Sequence, residues 1–167
     1  MKTRKILMLV LMTFITLTVF GQSRFDKFQD REDVKVVTVN QNAFKMMANI
    51  KTNDAEADEY MELLGNLTNL KIIATENKQI AKEMKEEVSK YLKEEILSEL
   101  MSVKDGDANV KIYIKDGIDE KHISKLFMFV EELNESVIID IDGNIDLQKI
   151  SEITQELNIP HSDKIEK

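Results

Sequence analysis

The sequence predicts an α+β fold, in which helices pack on a mixed β-sheet. In the first half of the 167-residue chain, short β-branched or apolar runs alternate with longer segments of helical periodicity. In the second half, three strand-like runs follow one another between turn residues, as in a meander. A last amphipathic segment completes the pattern, so the predicted order of elements is βαβαβββα.

Residues 1–21 have the pattern of a secretory signal peptide. Three basic residues lie within the first five, an apolar run covers 6–20, and the small Gly21 precedes a polar chain. We therefore predict cleavage after Gly21 and export to the periplasm or the envelope surface. The alternative is an uncleaved membrane anchor, for which the run is short, because a spanning helix needs about 20 apolar residues. The chain has no Cys to carry a lipid.

Composition limits the partners that the exported chain can have. The full chain has 23 basic and 31 acidic residues, and residues 1–21 include three of the basic ones, so the mature charge is 20 − 31 = −11. This charge repels phosphates, so nucleic acid and anionic lipid are not expected as partners. Stable membrane insertion is not expected once residues 1–21 have been cleaved off. The absence of Cys excludes disulfides, thiol nucleophiles and zinc–thiolate sites.

The first half of the mature chain begins with a polar arm or short helix over 22–33. The β-branched run 34–39 predicts a strand, and the spacing of apolar residues after Asn42 predicts a helix. A second helix is predicted over 54–64, where acidic residues occupy the first turn and Gly65 can end the helix.

A second strand is predicted over 70–74, followed by a long amphipathic helix over 78–101. Residues 105–107 (Asp-Gly-Asp) then form a turn. The alternating run 110–115 predicts a half-buried strand, and Asp116-Gly117 is a hairpin signal.

The segment 122–130 fits either a helix or a buried strand, and the preceding hairpin signal favours the strand. Residues 137–141 are the last predicted strand, and Asp142-Gly143-Asn144 is expected to end it. A final helix is predicted from Asp146 to Leu157. The predicted organisation is one domain over 34–158 and a flexible tail over 159–167.

Several short motifs occur in an order that resembles one known family. They are Phe25-Asp-Lys-Phe28, the strand 34–39 with the following 42–47, Tyr113-Ile-Lys115, and the segment 141–147 before a short helix. In this order they are similar to a family of small exported proteins of Gram-negative bacteria filed as domain of unknown function 4252. The resemblance covers essentially the whole mature chain and supports a strand at 122–130. It implies an envelope location and supplies no catalytic residues.

Polar residues follow three of the predicted strands, and they form the one candidate ligand site. If these strands are parallel, their carboxyl ends share one edge of the sheet, where open α/β sheets bind ligands. The alternative is that they are ordinary helix caps and turns. The residues of this candidate edge are Asn40, Asn42, Glu76, Asn77, Asp142 and Asn144.

No catalytic, cofactor-binding or metal-binding residue is assigned. Residues 140–146 alternate oxygen-bearing side chains as in a calcium loop. Counted from Asp140, however, the sixth place is Ile145 where Gly is needed, and the twelfth is Ser151 where Glu is needed. His122 and His161 are far apart in sequence and make no recognisable metal set.

The sequence therefore predicts a non-enzymatic envelope protein that binds another protein. One alternative is a small-molecule or metal-binding enzyme with its site at the edge where the candidate residues meet. Another is an adhesin-like surface module, which would use an exposed apolar edge strand such as 126–130.

Overall fold

The structure is a computed structural model that describes residues 23–51 and 53–149. The predicted signal peptide (1–21), the predicted final helix beyond residue 149 and the predicted tail (159–167) lie outside the described residues. They remain predictions from the sequence.

A single six-stranded sheet forms the centre of the fold, in the order β1-β2-β6-β5-β4-β3. Every neighbouring pair of strands is antiparallel. The α+β class is confirmed, and so is the C-terminal meander, which β3 extends to four strands. The expected parallel component is absent from the described sheet. The strands are β1 (Val34–Asn40), β2 (Leu67–Thr75), β3 (Ser98–Asp105), β4 (Ala108–Asp116), β5 (His122–Glu131) and β6 (Ser136–Asp146).

Within the described residues, three α-helices pack on this sheet: α1 (Gln41–Ala48), α2 (Ala55–Gly65) and α3 (Lys78–Glu94). Helices α1 and α2 contact each other closely and lie over β1 and β2. A Cβ on Gly65 would approach the Cβ of Ala48 to 2.8 Å, so glycine permits this approach. Single 3-10 turns occur at Asp26–Phe28 and Leu147–Lys149.

The two faces of the sheet bury two separate clusters, because successive side chains of a strand point to opposite faces. Leu126, Met128 and Val130 of β5 lie on one face with residues of α1 and α2, and we call it the apolar face. Phe127 and Phe129 lie on the other face against α3 and the first 3-10 turn. We call this second face the mixed face, since one end of it carries charged residues.

The predicted helix over 78–101 is wrong in its last turns. Helix α3 ends at Glu94, and residues 98–105 form the edge strand β3, which pairs with β4. Met101 and Val103 pack against the cluster of the apolar face. Apolar residues are dense enough in this segment to fit either periodicity, and the pairing with β4 decides for the strand. The 105–107 turn is confirmed, with Gly106 at φ +59°.

Strand β6 also differs from the prediction, because it continues through Asp146 instead of ending after Ile141. Gly143 lies opposite Leu67, and a Cβ there would come within 2.6 Å of the Asn66 carbonyl oxygen. Glycine is needed at this position for close approach of two backbones, and the strand passes through the predicted turn.

Candidate functional site

The antiparallel sheet separates the residues of the candidate edge. Strand β1 is antiparallel to β2, so the carboxyl end of β1 at Asn40 and the carboxyl end of β2 before Glu76 lie at opposite ends of the sheet. Asp142 lies at the same end of the sheet as Asn40, because both residues pair with Asn69 of the intervening β2. The expectation that all six residues share one edge is therefore wrong, since it required parallel strands.

Four of these residues cap a helix or line a depression: Asn40, Glu76, Asn77 and Asn144. Asn40 caps α1 by accepting a hydrogen bond from the Ala43 N–H at 3.1 Å. Asn77 caps α3 by accepting from two N–H groups at 2.9 and 3.2 Å. Asn42 is exposed on α1. Glu76 and Asn77 line a depression of about 450 Å³, whereas Asn144 lines another of about 300 Å³.

Asp142, the sixth residue, belongs to a charged cleft at one end of the mixed face. The cleft has a volume of about 920 Å³ and lies between the sheet, the last turns of α3 and the segment that begins at Ser23. Its charged lining residues are Arg24, Lys71, Lys115 and Lys125 opposite Glu87, Glu95, Asp140 and Asp142. This cleft is the candidate functional site, and we call it the charged cleft.

Ion pairs between neighbouring strands form the floor of the charged cleft. Lys71 and Asp140 are cross-strand partners on β2 and β6, and Lys125 and Asp142 are partners on β5 and β6. The Lys125 ammonium contacts the carboxylate of Asp140, and it lies 2.7 Å from Asp142 Oδ1. The Lys71 ammonium pairs with Asp26 of the first 3-10 turn. Charged groups so near a core are stable only when they are paired.

Lys71 and Asp140 are as buried as core residues, with exposed fractions of 8% and 6%. Burial raises the pKa of the Asp140 carboxyl, although Lys125 opposes this rise. Burial disfavours the charged Lys125 ammonium, but the carboxylates of Asp140 and Asp142 outweigh it, so the pKa of Lys125 lies above its ordinary value. Lys125 and Asp140 therefore stabilise each other's charge at a site that is largely shielded from water.

Tyr91 forms one wall of the charged cleft, and only 8% of it is exposed. Its ring packs 4.9 Å from Phe127 and 5.2 Å from Phe25, centroid to centroid. Burial raises the pKa of the Tyr91 hydroxyl to about 12. The hydroxyl is protonated at neutral pH, as in any tyrosine, and it stays a hydrogen-bond donor to a higher pH than usual.

The segment before β1 is tied to α3 by a second group of ion pairs. Glu87 contacts Lys27, and one of its carboxylate oxygens lies 3.4 Å from Arg24. The hydrogen bond from Lys27 lowers the pKa of Glu87. Phe25 and Phe28 are buried beneath these contacts. This segment therefore forms part of the cleft wall.

The sequence held a signal for this site that composition and motif spacing miss. Lys71 and Asp140 interrupt strongly apolar strand runs, Leu70-Lys-Ile-Ile and Val-Ile-Ile-Asp-Ile141. A charge within a buried strand needs a partner, so such residues point to an internal ion pair. Which charges meet could not be predicted, since the pairing depends on strand order.

His122 is the one histidine that the described residues include, and it pairs with a nearby carboxylate. His122 Nδ1 lies 2.7 Å from Asp119 Oδ1, and the hydrogen bond from His122 lowers the pKa of that carboxyl. His161 lies outside the described residues. No group of three or more His, Cys, Asp or Glu within 23–51 and 53–149 could hold a metal ion. None of the helices in these ranges has the length and hydrophobicity of a membrane span.

The adhesin alternative loses the strand on which it was based. Residues 126–130 belong to β5, which lies inside the sheet between β4 and β6. All five side chains are buried. The edges of the described sheet are β1 and β3 instead.

Comparison with known proteins places this chain in a family. The family described as Domain of unknown function (DUF4252) matches residues 28–153. The chain belongs to this family. The match includes all six strands of the sheet, whereas the cleft residues Ser23, Arg24 and Phe25 precede it. No curated protein and no solved structure matches the chain.

Proposed function

We propose that this DUF4252 protein is an exported, non-enzymatic module that binds another envelope protein by pairing an extended segment of it with β1. The observation that carries the proposal is the continuous, exposed edge of β1. Its seven residues pair with β2 without any register shift. Within the described part of the chain, no strand pairs with the other side of β1. An edge of this kind can accept a further strand through main-chain hydrogen bonds.

The other edge, β3, has a feature that disfavours such pairing. Its register with β4 shifts between Glu99 and Met101, which indicates a bulge. Bulges on edge strands increase the local twist and interrupt the straight row of donors and acceptors that a partner strand needs. The two edges therefore differ in their capacity to add a strand, and β1 is the better template.

Exposed apolar side chains on β1 and at α1 provide a surface that a partner segment can bury. Val37 on β1 is 50% exposed, and Met46 and Ile50, on and just after α1, are 74% and 51% exposed. In strand addition, main-chain bonds supply affinity and alternate side chains supply specificity. These three residues are the ones we expect a partner segment to cover.

Export is supported by the sequence of residues 1–21, with its basic start, apolar run and small Gly21. The partner is accordingly sought in the envelope. The acidic mature chain favours a partner segment that is neutral or basic.

The test places a photoreactive side chain at position 37 and, as a matched control, at position 100. Val37 and Leu100 are exposed to nearly the same extent, 50% and 48%, and lie on opposite edges. Irradiation of intact cells is expected to give one discrete adduct from position 37 and none from position 100. Mass spectrometry of the same sample is expected to find an N-terminus at Gln22.

A second pair of variants checks that the adduct reports binding. Val37→Lys is expected to abolish the adduct formed from a photoreactive side chain at position 35, and Leu100→Lys is expected to leave it intact. Equal crosslinking from positions 37 and 100 would contradict a β1-specific partner. An adduct of twice the chain mass would show that β1 pairs with a second copy of this chain and would contradict a separate partner protein.

A further inference from the structure

The Tyr91 hydroxyl has no hydrogen-bond acceptor among the described residues, and only 8% of Tyr91 is exposed. Within residues 23–51 and 53–149 the Tyr91 ring packs in the cluster of the mixed face against Phe25 and Phe127, and no group there accepts a hydrogen bond from its hydroxyl. Buried polar groups without partners are rare in folded proteins and call for an explanation. Because Tyr91 lines the charged cleft, a bound molecule can supply the missing acceptor.

Two charged neighbours also have unused hydrogen-bonding capacity. An ammonium carries three donors, and in the described residues Lys71 uses one of them on Asp26 Oδ1. Asp140 accepts from Lys125 through Oδ1, and no described donor reaches Oδ2. As far as the described residues go, the cleft therefore has donors without acceptors on Tyr91 and Lys71 and an acceptor without a donor on Asp140.

The charge balance of the cleft limits what such a molecule can be. Four cationic and four anionic side chains line it, so a ligand with a net charge gains little from the field and leaves one set of groups unmatched. The ring of Phe25 is 1% exposed, so it offers no free face on which a sugar could stack. A small molecule that carries both charges matches both sets.

We propose that the charged cleft binds the zwitterion of an α-amino acid. Its carboxylate accepts hydrogen bonds from the Tyr91 hydroxyl and the Lys71 ammonium. Its ammonium group donates to the Asp140 carboxylate. This orientation places each ligand charge beside protein groups of the opposite sign and satisfies the three unmet groups at once. The proposal does not depend on a partner at β1.

The test titrates glycine into the purified protein and follows backbone amide resonances. Glycine is expected to shift the resonances of Lys71, Tyr91 and Asp140 saturably. Acetate has only the carboxylate of glycine, and methylammonium has only its ammonium group. For each of them, the concentration that gives the same shift is expected to be at least about tenfold higher, since one charged hydrogen-bonding group is missing. Glucose serves as the neutral polar control and is expected to cause no saturable shift.

Tyr91→Phe removes only the hydroxyl and keeps the ring contacts. It is expected to weaken glycine binding about tenfold, the loss of one hydrogen bond to a charged group. Tyr113→Phe removes the other buried phenol of the mixed face, which lies outside the cleft lining, and is expected to leave binding unchanged. The Tyr91→Phe variant counts as correctly folded if its unfolding midpoint equals or exceeds that of the wild-type protein.

Each other result overturns the proposal. Acetate or methylammonium binding as tightly as glycine would show a simple ion site. Saturable binding of glucose would show a site for neutral polar molecules. No saturable shift with glycine, or equal glycine affinity in wild type and Tyr91→Phe, would show that the Tyr91 hydroxyl is satisfied by water alone.

Discussion

The two faces of the sheet use the same strands in different ways. On the apolar face, the buried side chains of β5 and β6 are aliphatic apart from Met128, and they share one cluster with residues of α1 and α2. On the mixed face, the same strands present Phe127 and Ile138, and then, toward one end, Lys125 and Asp140. Desolvation makes a buried ion pair a poor means of gaining stability compared with apolar residues of similar volume. The apolar face thus has the composition of a core, whereas the charged end of the mixed face is better suited to binding.

The largest expected effects test whether both faces contribute to the core. Phe127→Ala is expected to lower the free energy of unfolding by about 4 kcal/mol, because Phe127 is fully buried and contacts three other aromatic rings. Met128→Ala, the next residue on the apolar face, is expected to cost about 3 kcal/mol. Urea unfolding measures both. A loss below about 1 kcal/mol for Phe127→Ala would mean that the mixed face is not a true core.

The next largest expected effect is that of Lys125→Met, which tests the charged end of the mixed face. The variant leaves the buried Asp140 carboxylate without its cation, at an expected cost of about 3 kcal/mol at pH 7. Removing the cation raises the pKa of Asp140 further above its ordinary value. The loss is therefore present above that pKa and is relieved as the pH falls through it and Asp140 takes up a proton.

The matched control for this variant is Lys35→Met, which breaks the exposed pair with Glu76 at 3.0 Å. It is expected to leave the unfolding midpoint unchanged, because exposed pairs contribute little. Equal losses for the two variants, or a loss for Lys125→Met that does not diminish in acid, would contradict the assignment of a buried, mutually dependent pair.

The smallest expected effect concerns alkaline pH. The pKa of Tyr91 is about 12 in the folded state and 10.0 in the unfolded chain, so the folded state retains the proton longer. This stabilisation is complete below pH 10 and is lost as the pH rises from 10 to 12, with about 1 kcal/mol lost by pH 11. Wild type is expected to lose that much more stability than Tyr91→Phe between pH 9 and pH 11. Parallel losses, measured by denaturant unfolding, would place the Tyr91 hydroxyl in water.

Much of the fold could be predicted because local periodicity matches the final structure. The apolar runs at 34–39, 70–74, 110–115 and 137–141 all lie within strands, and 122–130 is a strand as the hairpin signal indicated. The segment 98–105 could not be assigned correctly, since its apolar residues fit a helix as well as a strand. Its pairing with β4 settles the assignment, and that contact is absent from any local window.

The candidate site could be predicted far less well than the fold. The polar residues after three strands were expected to meet, but antiparallel pairing sends the ends of β1 and β2 to opposite ends of the sheet. Lys71 and Asp140 are visible as charges within apolar runs, yet these two residues and their partner Lys125 come from three separate strands. Their association requires β2, β6 and β5 to be neighbours.

The sequence by itself determined the class of the fold, most strand positions, the family and the expectation of export. These properties follow from periodicity, turn residues and composition, which act over short stretches of chain. Only the tertiary structure decided the strand order, the two unlike faces and the cleft in which Tyr91 meets paired charges. Those features depend on which distant strands become neighbours, because burial and charge pairing are properties of the assembled sheet.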